Sequence, residues 1–458
     1  MDELTMDMLH GRLGGKILFF SLPLVLTGIL QQFFNAADIV IVGRFVGKEA
    51  MAAVGGMASV IGLMVGLFVG LSMGTNVVIA QRIGRADAAG IARAADTSLT
   101  SSLLIGILLI LAGEWAASPF LSVMSLPGET YALSETYLRI YLLGMPAILL
   151  INTESAMLRA QGDSRSPLIC LTASGILNIG LNLFFVLFLG MGVDGVAWAT
   201  ALSNAAGAML LFMVLLRGHG SVNFHMHVMK IDWPSLWKIV AIGIPSGVQS
   251  AMFSLPNIII QEAINSLGTN VMAASAAAFN IEVVMFYVTS GFGQACTTFI
   301  GQNYGAGNID RCRRVLKISL AQCMAVTLTG SLALLVAGNC LLAWFNPDPE
   351  VIAIGFVRLE YILWFEGIAV LIEIYSGAMR GYGHSFEPAA IAVIGICLLR
   401  VIWILTVFAA HPAFEVIMAC YPLSWLVTAV ASVWAHRRIF RRVQSAGNRE
   451  AGEQNASE

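Results

Sequence analysis

The chain is short of charge. Asp, Glu, Lys and Arg make up 11% of its 458 residues, against 58% hydrophobic, and mean hydropathy is +0.81. A water-soluble domain carries about 25% charged residues, so a soluble fold of this size could not cover itself. Sequence signatures of chemistry are also missing. There is no Walker A loop for an ATP-driven pump. There is no HExxH, no GxSxG elbow and no cluster of aspartates for an integral-membrane enzyme. The seven cysteines (Cys170, Cys296, Cys312, Cys323, Cys340, Cys397, Cys420) show no CxxC pairing and read as free, apolar-like residues. His219, His225 and His227 lack a further partner for a metal. The first apolar run is too long for a signal peptide and no cleavage site follows it, so it is expected to stay as an anchor. The net charge of −2 selects no partner, and no nucleic-acid partner is expected.

What is present is lipid-facing sequence. Apolar windows fall near 16–43, 51–80, 94–113, 133–158, 166–190, 195–216, 236–266, 271–300, 315–340, 352–379, 387–409 and 414–438. Each is long enough to cross a bilayer as a helix, and lipid leaves helices as the way to satisfy the backbone. The fold class is therefore an all-α polytopic membrane protein with twelve transmembrane helices. Twenty of the 25 Lys and Arg residues fall on the side that holds the N-terminus. Arg44, Lys48, Arg139 and Arg358 fall at outer ends, and Arg400 inside a span. That asymmetry places both termini in the cytoplasm.

The two halves repeat. RAQGDSRSP (Arg159–Pro167) answers RGYGHSFEP (Arg380–Pro388) at an offset of 221, and VGKEAMAA (Val46–Ala53) answers LGTNVMAA (Leu267–Ala274) at the same offset. Pro23 and Asn35 answer Pro245 and Asn257 at 222. Six spans per repeat is an even number, so the two bundles run parallel through the membrane. The boundaries read as 1–216 for the first lobe, 217–238 for a cytoplasmic linker, 239–440 for the second lobe and 441–458 for a disordered tail. A V-shaped cleft between the lobes is the expected substrate path. Gly62, Gly66, Gly70 and Gly74 form a small-residue ridge for close helix packing.

Two sets of residues stand out. Glu282 and Arg400 both fall near mid-depth, and an unpaired charge there is costly, so they are expected to pair, as a structural ion pair or as a second protonation or substrate site. Glu366, Glu373 and Glu154 are weaker candidates, the last two near cytoplasmic ends. Gln31, Gln32, Met252, Phe253, Met285, Phe286, Tyr287, Phe292 and Glu373 are candidate lining of the cleft, its methionine and aromatic residues able to hold flat cations by dispersion and cation–π contact. Trp115, Tyr131 and Trp344 fit an interfacial aromatic belt.

The 6+6 repeat, the paired RAQGDSRSP and RGYGHSFEP loops, GQNYGAGN (Gly301–Asn308) and NAAD (Asn35–Asp38) together resemble the multidrug and toxic compound extrusion (MATE) family. The resemblance spans about 15–440. It implies a bacterial inner-membrane antiporter that exports organic, often cationic or amphipathic compounds as H+ or Na+ enters, with that ion in place of a cofactor. A monomer is expected, since each repeat already has its partner. The first half resembles the DinF-type branch more than the NorM-type, whose acidic residue in span seven is replaced by Phe253. By that likeness the coupling-ion residues are Asp38, Asn178, Asn182 and Thr200. A carboxylate in a span costs several kcal/mol and is usually functional. Counted at a rise of about 1.5 Å per residue, all four positions lie in the outer half of the first bundle. With Asn182 where many relatives carry an aspartate, H+ is favoured over Na+ at Asp38. The alternative is a lipid-linked saccharide flippase, which usually has a more cationic cavity.

Overall fold

The computed structural model describes residues 5–123, 128–217, 230–252 and 254–457, with side chains for all of these except 58–59, 120, 123, 128–129, 254–255 and 446–457. Phe253 and the three histidines of the 217–238 linker lie outside the described residues.

Every apolar run closes its own backbone hydrogen bonds as a helix, as lipid requires. In chain order these are α1 (Leu13–Val46), α2 (Lys48–Gly84), α3 (Ala88–Val123), α4 (Gly128–Leu143 and Met145–Ala160), α5 (Arg165–Phe188), α6 (Val193–Leu216), α7 (Trp233–Met252 and Ser254–Ser266), α8 (Thr269–Gly305), α9 (Ile309–Phe345), α10 (Pro349–Leu363 and Glu366–Gly381), α11 (Phe386–Phe408) and α12 (Phe414–Ser457). Among the described residues, ten elements are long and apolar enough to span singly, and α4 and α10 are so as bent pairs, which makes twelve. The bends are 46° in α4 and 42° in α10. They fall at Gly144 and Phe365, which keep the offset of the sequence repeat, so the repeat extends to its kinks. In α4 the cause is Pro146, which has no N–H to continue the preceding turn. α1 and α5 both end on a π-helical turn, at Val42–Val46 and Phe184–Phe188. Such turns often mark functional positions.

Two compact units form. One is Leu26–Gly247 with the chain up to Asp7; the other is Met8–Val25 with the chain from Val248 onward. The unit boundary thus departs from the 1–216 and 239–440 division. The first half of α1 packs with the second set of spans, and the first half of α7 with the first set. Packing decides this. Phe20 of α1 meets Phe299 of α8 edge to face at 5.6 Å. Gly70 and Gly74 of α2 approach Gly243, Gly247 and Ile239 of α7 so closely that no Cβ fits between them. The switch follows Pro23 in one helix and Pro245 in the other.

The small-residue ridge on α2 is therefore partly a helix interface. A Cβ at Gly70 would lie 2.0 Å from the Gly247 nitrogen, while one at Gly62 would meet nothing within 4 Å. Gly70→Ala is expected to destabilise by at least about 1–3 kcal/mol through overpacking. Gly62→Ala should stay within about 0.5 kcal/mol. Thermal unfolding of the two variants in detergent checks the contrast.

The tail is not assigned to disorder in the structure: α12 continues to Ser457. Past Pro422 the segment has no proline, and its Arg, Gln, Glu and Ala residues are good helix formers. All seven cysteines are unbridged.

Candidate functional site

The Asp38 site is built where three helices of the first unit converge. Gly175 on α5 is the enabling residue. An added Cβ there would sit 2.0 Å from the ring of Phe34, so only glycine lets α1 lie this close. Asp38 follows Phe34 by one turn. Asn178 and Asn182 follow Gly175 on the same helix and are buried, Asn182 completely. The result is one line of hydrogen bonds. Asn182 Nδ2 donates to Asp38 Oδ1 at 2.6 Å and to Asn178 Oδ1 at 3.2 Å. Asn178 Nδ2 donates to Thr200 Oγ1 on α6 at 3.4 Å, and Thr200 Oγ1 donates to the Val196 carbonyl at 3.0 Å. The four residues singled out from the sequence are thus brought into one chain across α1, α5 and α6.

Asn182 Oδ1 is buried with no hydrogen-bond partner. Buried polar atoms are usually satisfied, so this acceptor is open to a hydrogen-bond donor beside Asp38. Sequence reasoning missed Tyr137 and Tyr141 of α4, which are buried and within electrostatic reach of Asp38. The repeat carried a signal for one of them, since Tyr137 answers Arg358 at the repeat's own offset.

In the second unit the expected Glu282–Arg400 pair does not form. Glu282 pairs with Arg358 instead: Arg358 Nη2 donates to Glu282 Oε1 at 2.6 Å, Nε lies 3.2 Å from both carboxylate oxygens, and Nη1 donates to Ser275 at 2.7 Å. The pair is almost fully buried, with side chains 6% and 8% exposed. Arg358, counted from sequence among the charges at outer ends, thus points inward. Arg400 is buried too, but its partners are the Ser424 hydroxyl at 3.0 Å and the face of Tyr421 at 4.1 Å. Arg358 stands 5.9 Å from that same ring. By the repeat, Tyr421 and Ser424 answer Thr200 and Ser203, and Ile260 answers Asp38. One position in the fold therefore holds an acid with amides in the first unit and arginines around a tyrosine in the second.

The candidate cleft residues separate. Met285 is buried, and its sulfur lies against Gly330 of α9; it is core, as is buried Phe292. Phe286 is exposed and touches the ring of Tyr287 at 5.6 Å. Gln31 is exposed, Gln32 and Met252 are half-buried. Glu373 pairs with Arg380 at 3.4 Å, and Arg380 donates to Gln249 at 3.2 Å. Glu366 is buried at the kink of α10. Glu154, expected near a cytoplasmic end, is buried inside the first unit at 2% exposure.

A family model described as MatE matches residues 23–184 and again 245–406, two stretches whose starting positions are in step with the sequence repeat. The chain is similar to "Probable multidrug resistance protein YoeA" of Bacillus subtilis (strain 168), 26% identical over 93% of this chain and 95% of that protein. It is similar to "Probable multidrug resistance protein NorM" of Thermotoga maritima, 26% identical over 84% of this chain and 83% of that protein. Its fold matches a solved structure described as the outward-facing conformation of a multidrug resistance MATE family transporter of the MOP superfamily. The TM-score is 0.89 at 22% identity, over 97% of this chain and all of that one.

Proposed function

The chain belongs to the MatE family of membrane transporters, and from that premise we propose a secondary antiporter that exports organic, often cationic or amphipathic compounds as H+ enters. Multidrug efflux is the role its relatives' names point to, rather than the flipping of a lipid-linked saccharide. The observation that carries the coupling reading is the hydrogen-bond chain from Asp38 to Thr200.

The chain can report the protonation state of Asp38 in a simple way. A carboxylate accepts from Asn182; a carboxylic acid must donate. On protonation, Asn182 turns its amide by half a turn, so that its unpartnered Oδ1 accepts from Asp38. Its nitrogen then leaves Asn178, which turns in the same sense and donates to Asn182. The Asn178 oxygen now faces Thr200, whose hydroxyl gives up the Val196 carbonyl to donate to it. A proton at α1 thereby rewires a contact on α6 without moving a charge between helices. In the alternating-access cycle, protonation favours one conformation and proton release the other.

The driving force suffices without ATP. One charge crossing about 150 mV is worth roughly 3.5 kcal/mol, enough for a concentration ratio of a few hundred for a neutral substrate. H+ is favoured over Na+ because Asp38 is the only carboxylate in the chain of hydrogen bonds.

Proteoliposomes loaded with a fluorescent organic cation test this directly. A pH gradient alone is expected to drive efflux, and a sodium gradient alone to leave it at the level of empty liposomes. Efflux driven by sodium would overturn the proton assignment, and efflux under neither gradient would overturn antiport.

A further inference from the structure

Glu154 is a buried acid that the exchange above does not use. It sits in the second segment of α4, between the kink and the end of that helix at Ala160. Its Oε2 has no hydrogen-bond partner, and among the described residues no cation pairs with it. This contrasts with Glu282 and Glu373 in the second unit, each of which has an arginine. A buried acid without a counterion is costly when charged, and such residues within spans are functional by default.

The elements packed on this segment are α2, α3, α5 and α6. Three of their charged groups, and Asp163 beside them, are engaged elsewhere. Arg82 on α2 donates to the Gly90 carbonyl and to Ser235. Glu114 on α3 pairs with Arg139. Asp163, just before α5, accepts from the backbone nitrogens of Arg165 and Ser166. Asp194 on α6 accepts from Gly192. Among the described residues, no ion pair joins Lys48, Glu49, Arg85, Arg93, Asp96, Arg159 or Arg165 to Glu154, and the titratable neighbour within its electrostatic reach is Cys170 on α5.

Cys170 is also the inner end of a polar stripe. Cys170, Ser174, Asn178 and Asn182 recur at every fourth residue on one face of α5, and all are buried. Side chains at this spacing stack along a helix, and twelve residues span about 18 Å. The outer end holds Asp38. Midway, Ser174 donates to the Ser203 carbonyl on α6 at 2.6 Å. Beside Glu154 itself, Thr153 and Ser102 share a hydrogen bond at 2.7 Å. Buried hydroxyl and amide groups are the partners that ordered interior water bonds to.

We propose that Glu154 is a second proton-binding site, and that the buried polar face of α5 carries the proton to it from Asp38. The step rests on the proton-coupled reading above. The Asp38 carboxyl gives up its proton and becomes a carboxylate; the Glu154 carboxylate takes it and becomes an acid. Glu154 then releases the same proton at the Arg159 end of α4.

Two measurements test it on the full-length protein. The first is infrared titration in detergent, reading the carbonyl stretch of protonated carboxyls in the wild type and in Glu154→Gln. Loss of one pH-dependent component in the variant is expected. Identical difference spectra would overturn the second site. The second is proton-driven efflux from proteoliposomes. Glu154→Gln is expected to slow it at least tenfold and to flatten its pH profile, while Glu154→Asp, which keeps an acid, recovers the profile. Ser174→Val is expected to slow efflux at least threefold with the infrared component of Glu154 still present, and wild-type rates in that variant would overturn the path. Should Glu154→Gln fail to fold, the Glu154→Asp shift in the infrared band and the Ser174→Val rates decide. Should the wild type ignore a proton gradient, the proton-coupled reading fails, whereas the infrared titration still decides whether Glu154 binds a proton.

Discussion

Asp38→Asn is expected to reduce proton-driven efflux to the level of empty liposomes while leaving the protein folded. The reasoning is local. Asparagine has the shape of aspartate, and its Oδ1 accepts the 2.6 Å hydrogen bond from Asn182 as the carboxylate does. The close contact of Phe34 with Gly175 is untouched. What disappears is the ability to switch between acceptor and donor. The amide cannot take up a proton, so Asn182, Asn178 and Thr200 stay in one arrangement at every pH. Asn182→Leu separates the two roles of the chain. It keeps the acid and removes the relay, so proton binding at Asp38 should persist while efflux slows. Comparing variants for proton uptake on acidification and for efflux under a pH gradient checks both. A functional Asp38→Asn variant with an unchanged pH profile would remove Asp38 from the mechanism.

Arg358→Met is expected to destabilise the protein by about 3–5 kcal/mol, the cost of leaving a buried carboxylate without its partner. Glu282 would then keep no cation, and Ser275 would lose its donor. The double change Glu282→Leu with Arg358→Met should recover most of the loss, because well-packed apolar residues replace a buried pair at little net cost. Arg400→Met should cost less, about 1–3 kcal/mol, since it removes one hydrogen bond to a hydroxyl and a cation–π contact rather than the partner of an acid. Thermal unfolding in detergent of the wild type, Glu282→Leu, Arg358→Met and the double variant, read as a double-mutant cycle, gives the coupling energy, and the same cycle with Arg400→Met in place of Arg358→Met is the control. A cycle showing strong coupling between Glu282 and Arg400 instead would contradict the geometry.

The amino-acid sequence by itself determined the twelve helices and the repeat, and it singled out Asp38. These are local or periodic properties. A run of apolar residues must close its hydrogen bonds within itself in lipid, and a carboxylate within such a run is conspicuous wherever its neighbours are. Depth along a helix could likewise be counted, and it placed Asp38, Asn178, Asn182 and Thr200 at a common level.

Only the tertiary structure decided which residues meet around the helix axis. Glu282 and Arg400 share a depth, yet Arg358 faces Glu282 and Arg400 faces Tyr421. Counting by rise fixes height and leaves the facing side free. The same count put Glu154 near a helix end, where a side chain can face the interface, and left open that α2, α3, α5 and α6 pack on its segment and bury it. The exchange of the first halves of α1 and α7 has the same origin. Chain order assigns each half-helix to its own repeat, while the apolar face of Phe20 and the missing side chains of Gly70 and Gly74 assign it to the surface that buries it. Burial of a shared face depends on three-dimensional complementarity between distant segments, and no one-dimensional pattern carries that information.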